Sequence, residues 1–467
     1  GYKCVYTAKS GKTTSWKQKV TKGKTYYYYV VTIYPNGKTE ASQTVAQIYP
    51  KTSKEKVHTI KGMEDIGVGS QYNGNWATSD RVYYYELSGK MHVVCAGENC
   101  VTDYTLNSKG NVSSKKTIKI KYERWGGFYK GTDGKFYVAV GYNNPKESSK
   151  KTVIKVIQYT NKWKKLKTAS IKGGASNAFE GIYIPFDAGN CTMAMNGNEL
   201  YLFTAREMFM RPDGLHHQSN ISFRINTKTM KAKEANESYV SHSFNQYVKY
   251  KDGDLYLLDH GDAYPRSLCL TAVKDSDTNH RASYESNFFP FIQGENGEHY
   301  NYTGCTVGGM EVGNKNILIC GASVPHENKV KGVTGAGTNY KKNVYVVIVN
   351  RETGKSKIKW LTSYHPLKTT TIVGNTRMVK LAEDRYAILY STKKNDVETV
   401  HYLVINNAGK KIYSKSYKGM SFSGGTQPML YKGNLVWVEE KGGFDYESMQ
   451  YVYSTNLYQI PAITEKK

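Results

Sequence analysis

Apolar and polar residues alternate along most of this chain with the period of two that belongs to a half-buried strand. Turn residues interrupt the alternation at short intervals, and aligning the segments on those turns exposes a repeat. The segments are YELSGKMHVVCA (85–96), KGTDGKFYVAVGY (130–142), AMNGNELYLFTAR (194–206), KYKDGDLYLLDHG (249–261), EVGNKNILICGAS (311–323), KLAEDRYAILYST (380–392) and LYKGNLVWVEEKG (430–442). Each reads as a short strand, a turn holding Gly, Asn or Asp, and a strongly apolar strand, which is the signature of a β-hairpin. A third strand follows each, as in KTVIKVIQYTN and NVYVVIVNRETG, and a lysine-rich fourth often closes the group, as in LKTASIKGG and KSKIKWLTSY. Antiparallel groups of four strands in serial repeat are what propeller blades require. The pattern therefore predicts an all-β fold, a seven-bladed β-propeller over residues 55–467.

The last hairpin and its third strand run into the C-terminal YQIPAITEKK without an obvious fourth partner. EKVHTIKG (55–62) resembles the fourth-strand segments, so it is expected to complete the final blade and to remove two exposed edges. Residues 1–54 do not match the blade pattern and form a second region with its linker, IYPKTSKEK leading into the propeller. No apolar run approaches the roughly 20 residues that span a bilayer, and no charged-then-apolar leader opens the sequence, so a soluble, trimmed product is expected.

Composition sharpens the picture in two respects. The 41 tyrosines and 43 glycines against 11 prolines suit strands and tight turns. The 65 Lys and Arg against 39 Asp and Glu leave a formal charge of +26, which attracts polyanions: nucleic acid, acidic or sulfated glycans, anionic wall polymers. The lysines are dispersed singly over strand positions without an Arg-rich helix or nucleic-acid module, so specific nucleic-acid binding is not expected; a solvated coat that keeps strand edges apart explains much of the excess. Seven cysteines cannot form a complete disulfide set. Cys95 and Cys100 are near enough in sequence to bridge across a turn, while Cys269 and Cys320 sit in apolar strands as buried thiols.

Residues 1–54 carry ten lysines against one acid, Glu40. Their GYKCVY and KGKTYYYYVVTIY strands and NGKTEAS turn resemble the latter half of a fibronectin type III-like module of the lysine-rich kind on Gram-positive, Firmicutes-type surface proteins. Two strands of such a module are lacking, which suggests a piece of a longer protein. The repeat region, with its HSF…DHGDAYPR stretch, is similar to propeller domains of uncharacterised surface proteins of such bacteria. The resemblance implies an extracellular setting, secreted or attached to the wall, and implies no activity.

Propeller ligand sites are expected at the mouth where the innermost strands begin. Polar, Gly-rich entries to those strands place Asn190, His242, Asn245, Thr306, Asn375, Arg377, Thr426 and Gln427 around one mouth. The run DHGDAYPR (259–266) leaves the fourth hairpin toward the same mouth, bringing Asp259, His260, Asp262, Tyr264 and Arg266 near His242 and Asn245. The third hairpin's loop adds Arg206, Glu207, Arg211, His216 and His217, and the seventh adds Glu439 and Glu440 on the opposite rim. The expected ligand-binding set is Arg206, His242, Asn245, Asp259, His260, Asp262, Tyr264 and Arg266.

Three readings of that corner compete. Asp259, Asp262 and His260 supply donor types for a metal, although their spacing matches no EF-hand or zinc motif; no cofactor is expected beyond a structural cation such as calcium. His242 or His260 with Asp259 or Asp262 supply the types for acid and base work on a sugar, as in a lyase or hydrolase. The structural reading takes the octapeptide as a corner of the scaffold, with Asp side chains capping backbone N–H groups and Arg266 clamping a carboxylate. The functional expectation is a monomeric surface binding or adhesion protein for a glycan or acidic surface partner; the alternative is a carbohydrate-active enzyme at the same mouth. Neither a GxSxG elbow nor a phosphate-cradling strand-to-helix loop is present; GVTGAGTNY (332–340) follows no such pattern.

Overall fold

The computed structural model describes residues 3–8, 10, 16–19, 25–41, 45–48, 55–63, 66, 71–72, 78–174, 180–187, 190–264, 267–288, 305–325, 341–445 and 450–464. It is an all-β chain in a propeller arrangement, with no helix among these residues. Five four-stranded antiparallel blades stand as separate sheets. The first unit comprises Val82–Leu87, Lys90–Gly97, Cys100–Leu106 and Val112–Lys119, and the second Arg124–Lys130, Phe136–Gly141, Thr152–Tyr159 and Lys165–Lys172. The fifth holds Thr306–Val312, Asn316–Ser323, Asn343–Asn350 and Ser356–Trp360; the sixth holds Ile372–Ala382, Arg385–Lys394, Val397–Ile405 and Lys411–Lys418. The last joins Met429–Tyr431, Asn434–Asp445 and Gln450–Pro461 to Lys56–Thr59, paired Asn456↔Thr59 through Gln459↔Lys56.

Seven separate blades were expected, and the sheets correct that count to five. The third and fourth hairpin units lie in one ten-stranded sheet. The third is Thr192–Asn196, Glu199–Met208, Gln218–Asn226 and Ala232–Ala235; the fourth is Tyr247–Lys251, Asp254–Tyr264, Ser267–Val273 and Ala282–Phe288. Fusion has a local cause. Their second strands run 10 and 11 residues, past the ends of their own hairpins. The overhanging ends need backbone partners. Ile182–Pro185 pairs with one, and Ser241–Ser243 pairs with the other while also touching Ser219, which bridges the two units.

Strand alternation sends the two faces of each unit into different cores. Leu318, Cys320 and Ala322 pack with Met378, Ile388 and Tyr390 of the sixth unit, whereas Ile317 and Ile319 pack with Leu258 and Leu270 of the fourth. Among the described residues each unit shares an apolar cluster with the next, and a cluster of Val82, Val93, Val436 and Val438 joins the last to the first. Trp125 and Trp163 fill the space between the first two units and Trp437 that between the last two. A parallel bridge from Val82 to Thr426 ties the start of the first unit's inner strand to the segment leading into the last unit's.

Asp252–Gly253 and Lys432–Gly433 both have positive φ at each position, the two-residue turn that matches strand twist. The inner strands approach closely at Gly308, where a Cβ would run into Thr376 Oγ1.

Upstream, Thr25–Tyr28 pairs with Val45–Ile48, and Val31–Ile33 pairs with Thr39–Ala41. The seven cysteines are thiols. Cys95 and Cys100 are not bridged, because Cys95 lies opposite Thr102 and Cys100 opposite Gly97.

Candidate functional site

The run from residue 259 sits where the fourth unit's second strand overhangs. Ser243 is registered with Gly261, Ser241 with Tyr264, and Phe244 N donates to the His260 carbonyl at 2.9 Å. His242 and His260 are therefore at the same mouth. Asn245 is there too, its amide oxygen 3.4 Å from Asn190 Nδ2. Asp262 and Tyr264 are placed by their backbone alone, and Arg266 lies outside the described residues.

Asp259 is fully buried. Its Oδ2 accepts from Asn220 Nδ2 at 3.0 Å and Ser243 Oγ at 2.6 Å; its Oδ1 accepts from Gln246 Nε2 at 3.2 Å and the His260 N–H at 2.7 Å. Those four donors occupy the lone-pair directions a carboxylate offers. Burial pushes the carboxyl up to about 6 against the downward pull of the same hydrogen bonds. The adjoining His260 ring packs edge-on to Phe244 at 5.7 Å, and burial, with the Lys342 ammonium nearby, pushes it down to about 3. At neutral pH the imidazole is uncharged.

Arg206 does not join this corner. It is registered with Ser219, one position away from Asn220 whose amide reaches Asp259, so its side chain leaves the opposite face of the sheet. It is buried, with Nη2 3.9 Å from Met208 Sδ, while Nε and Nη1 meet no hydrogen-bond partner among the described residues. His216 stacks on Tyr183 at 3.9 Å and its Nδ1 donates to the Met208 carbonyl at 2.8 Å. His217 pairs with Asp213 at 2.6 Å on the surface.

Nearer the axis, the buried Arg377 guanidinium reaches across to Asp80 Oδ1 at 3.3 Å and donates to the Gly424 and Thr376 carbonyls. Burial raises Asp80, and Arg377 opposes the rise. Glu439, also buried, accepts from the Ser423 N–H at 2.9 Å and is pushed up to about 7 by burial. Gln427 Nε2 donates to the Met378 carbonyl at 2.6 Å.

Beside these groups a cavity of about 290 Å³ opens between the fifth and sixth units. Thr306, Asn375, Thr376 and Arg377 line it, together with Lys341 and Lys342, and none of the lining residues is acidic. Burial lowers the Lys342 ammonium, partly offset by the Cys305 thiol. The two lysines were not among the expected site residues. They stand directly before the apolar strand Asn343–Asn350, at its mouth end, which is the sequence signal that marks them.

Among the described residues no group of three or more His, Cys, Asp or Glu is placed to hold a metal ion, and no helix is long and apolar enough to cross a membrane. The loop at 332–340 lies outside the described residues.

No protein-family model matches the chain, and no curated protein does. Among solved structures it is similar to an ulvan lyase from a new family of polysaccharide lyase: 13% identity and a TM-score of 0.38, over 68% of this chain and 79% of that one. A mutant Synechocystis apocarotenoid oxygenase matches at 10% identity and a TM-score of 0.38, over 70% and 72%. Pseudomonas brassicacearum lignostilbene dioxygenase matches at 9% and 0.38, over 76% and 74%. At these values none of the three bears on what this chain binds or does.

Proposed function

We propose that this is an extracellular bacterial surface protein that binds an acidic glycan or wall polymer at the mouth just described. The observation that carries the reading is the cavity lined by Lys341, Lys342 and Arg377 with hydroxyl and amide groups and without a carboxylate. An anion entering it is paired by ammonium groups, and the hydroxyls of a sugar find Thr306, Asn375 and Thr376 as partners. The formal charge of +26 accelerates encounter with a polyanion and does not choose among them. The lysine-rich strands before residue 54 are, on this reading, the end of a fibronectin type III-like module that carries the propeller.

The test is a glycan array probed at low and high salt with the full chain and with Lys342→Gln. Retention of a subset of acidic glycans at high salt is expected, with binding weakened roughly tenfold or more in the variant. Signal that fades uniformly with salt and ignores Lys342→Gln would show charge attraction alone and end the proposal.

A further inference from the structure

A second, wider cavity opens at the other end of the propeller. It measures about 920 Å³ and lies between the outer strand of the third unit and the last turn of the fourth, with a smaller cavity of about 190 Å³ sharing Asn196, Glu199, Arg224 and His280 with it. It exists because Ala232–Ala235 has only four residues where the outer strands of the first and second units have eight, so the edge of the third unit is not covered along its length.

Its floor is fixed. Arg224 bonds Glu199 Oε1 at 2.5 Å and Glu237 Oε1 at 2.8 Å; Tyr250 donates to Glu199 at 2.7 Å and Tyr201 to Glu237 at 2.7 Å. This hydroxyl-supported network holds one guanidinium between two carboxylates, so its hydrogen bonds are met within the floor, which keeps one net negative charge and leaves attraction for an anion to the walls. The walls are different. Lys231, Lys233 and Arg281 make no ion pair with a described residue, and Glu234 is the one acid of the lining outside the floor network. The exposed amides of Asn196, Asn198 and Asn279 make no side-chain hydrogen bond to a described residue. Among the described residues no Phe, Tyr or Trp lines the larger cavity, so recognition there rests mainly on hydrogen bonds and charge.

The geometry points to a second glycan site: this cleft takes a hydroxyl-rich, anionic oligosaccharide segment, giving the molecule two binding sites at opposite ends. A cleft of this size holds more than one sugar ring. The acidic polymer named as its ligand rests on the proposed function; the cleft itself does not. Two sites facing opposite ways cannot grip one short chain together, so the molecule would join separate chains, with avidity set by the polymer.

Calorimetry with short oligosaccharides of an acidic polymer, alginate and hyaluronan being the probes, counts the sites. The full chain is expected to bind two equivalents. Lys342→Gln removes the mouth site, and Asn198→Trp, at an exposed position, fills the cleft and removes the other; each single variant then binds one equivalent and the double variant none. Lys233→Gln, a milder change in the same wall, is expected to weaken the cleft site about tenfold. One equivalent that Asn198→Trp and Lys233→Gln leave untouched overturns the second site and leaves the mouth reading standing. One equivalent that Lys342→Gln leaves untouched, and that Asn198→Trp abolishes, keeps the cleft and ends the mouth reading. No binding of either probe overturns both.

Discussion

Two neighbouring regions of one mouth carry charge in opposite ways. In the corner at Asp259 a carboxylate and an imidazole are sealed, and every oxygen of the carboxylate is answered by a fixed donor. In the cavity at Lys342, a few residues away in space, ammonium groups face an open volume with no carboxylate in its lining. The corner spends its polarity on holding strands in place. The cavity presents cations and no acid to an open volume, with Arg377 held in place by Asp80 and the Gly424 carbonyl. A dense run of functional residue types is thus weak evidence for a site, because hydrogen bonding inside the fold can consume all of it.

The largest effect that would break this contrast is expected at Asp259. Asp259→Ala leaves the Asn220, Ser243 and Gln246 side chains and the His260 N–H without their acceptor in a buried place, at a cost on the order of 3–5 kcal/mol. Urea unfolding should show the midpoint falling with an unchanged slope. A loss below about 1 kcal/mol would mean that the corner is open to water and available to a ligand after all.

Acid sharpens the contrast next. His260 has a folded pKa near 3 against an ordinary value of 6.5, so the folded state binds fewer protons than the unfolded one in that window. Its contribution is whole above pH 6.5 and is lost as pH falls toward 3. His260→Gln removes that dependence, and the stability of the wild type relative to the variant should drop by a few kcal/mol between pH 7 and pH 4. Glu439 runs the other way: raised to about 7 from 4.5, it binds more protons when folded, so its contribution is present below 4.5 and is lost as pH rises toward 7. Glu439→Gln should flatten stability between pH 4.5 and 7, by a smaller amount. Chemical unfolding across this range checks both, and equal slopes in wild type and variants would refute the burial that drives the two shifts.

How far the sequence carried the fold follows from the same physics. Period-two alternation and turn chemistry are local, so the hairpins at 249–261 and 430–442 could be read directly, Asp252–Gly253 and Lys432–Gly433 having the positive φ the turns require. What joins units is not local. The overhang of Asp254–Tyr264 and its pairing with Ser241–Ser243 turned two expected blades into one ten-stranded sheet, and no periodicity announces where a strand stops. At the site, the mouth position of His242, Asn245, Asp259 and His260 followed from counting strand directions. Arg206 was misplaced because that count ignores side-chain parity, which sends it through the opposite face. Lys341 and Lys342 were missed because lysine is common throughout this chain, so their place directly before the strand Asn343–Asn350 did not single them out until the cavity did.

The smallest expected effect on stability is also the most discriminating. Lys342 is held where burial lowers its ammonium, which means the folded state bears a cost for keeping the charge there. Replacing it by an uncharged side chain of similar length should relieve that cost, so Lys342→Gln is expected to leave stability unchanged or raised by less than about 1 kcal/mol, as read from the urea midpoint. The same substitution weakens anion binding. A scaffold residue shows the opposite signs, with stability lost and no ligand to lose, as Asp259→Ala is expected to show. If Lys342→Gln instead destabilises the chain by 2 kcal/mol or more, its ammonium is structural, and the contrast between sealed corner and open cavity collapses into a single polar scaffold around the mouth.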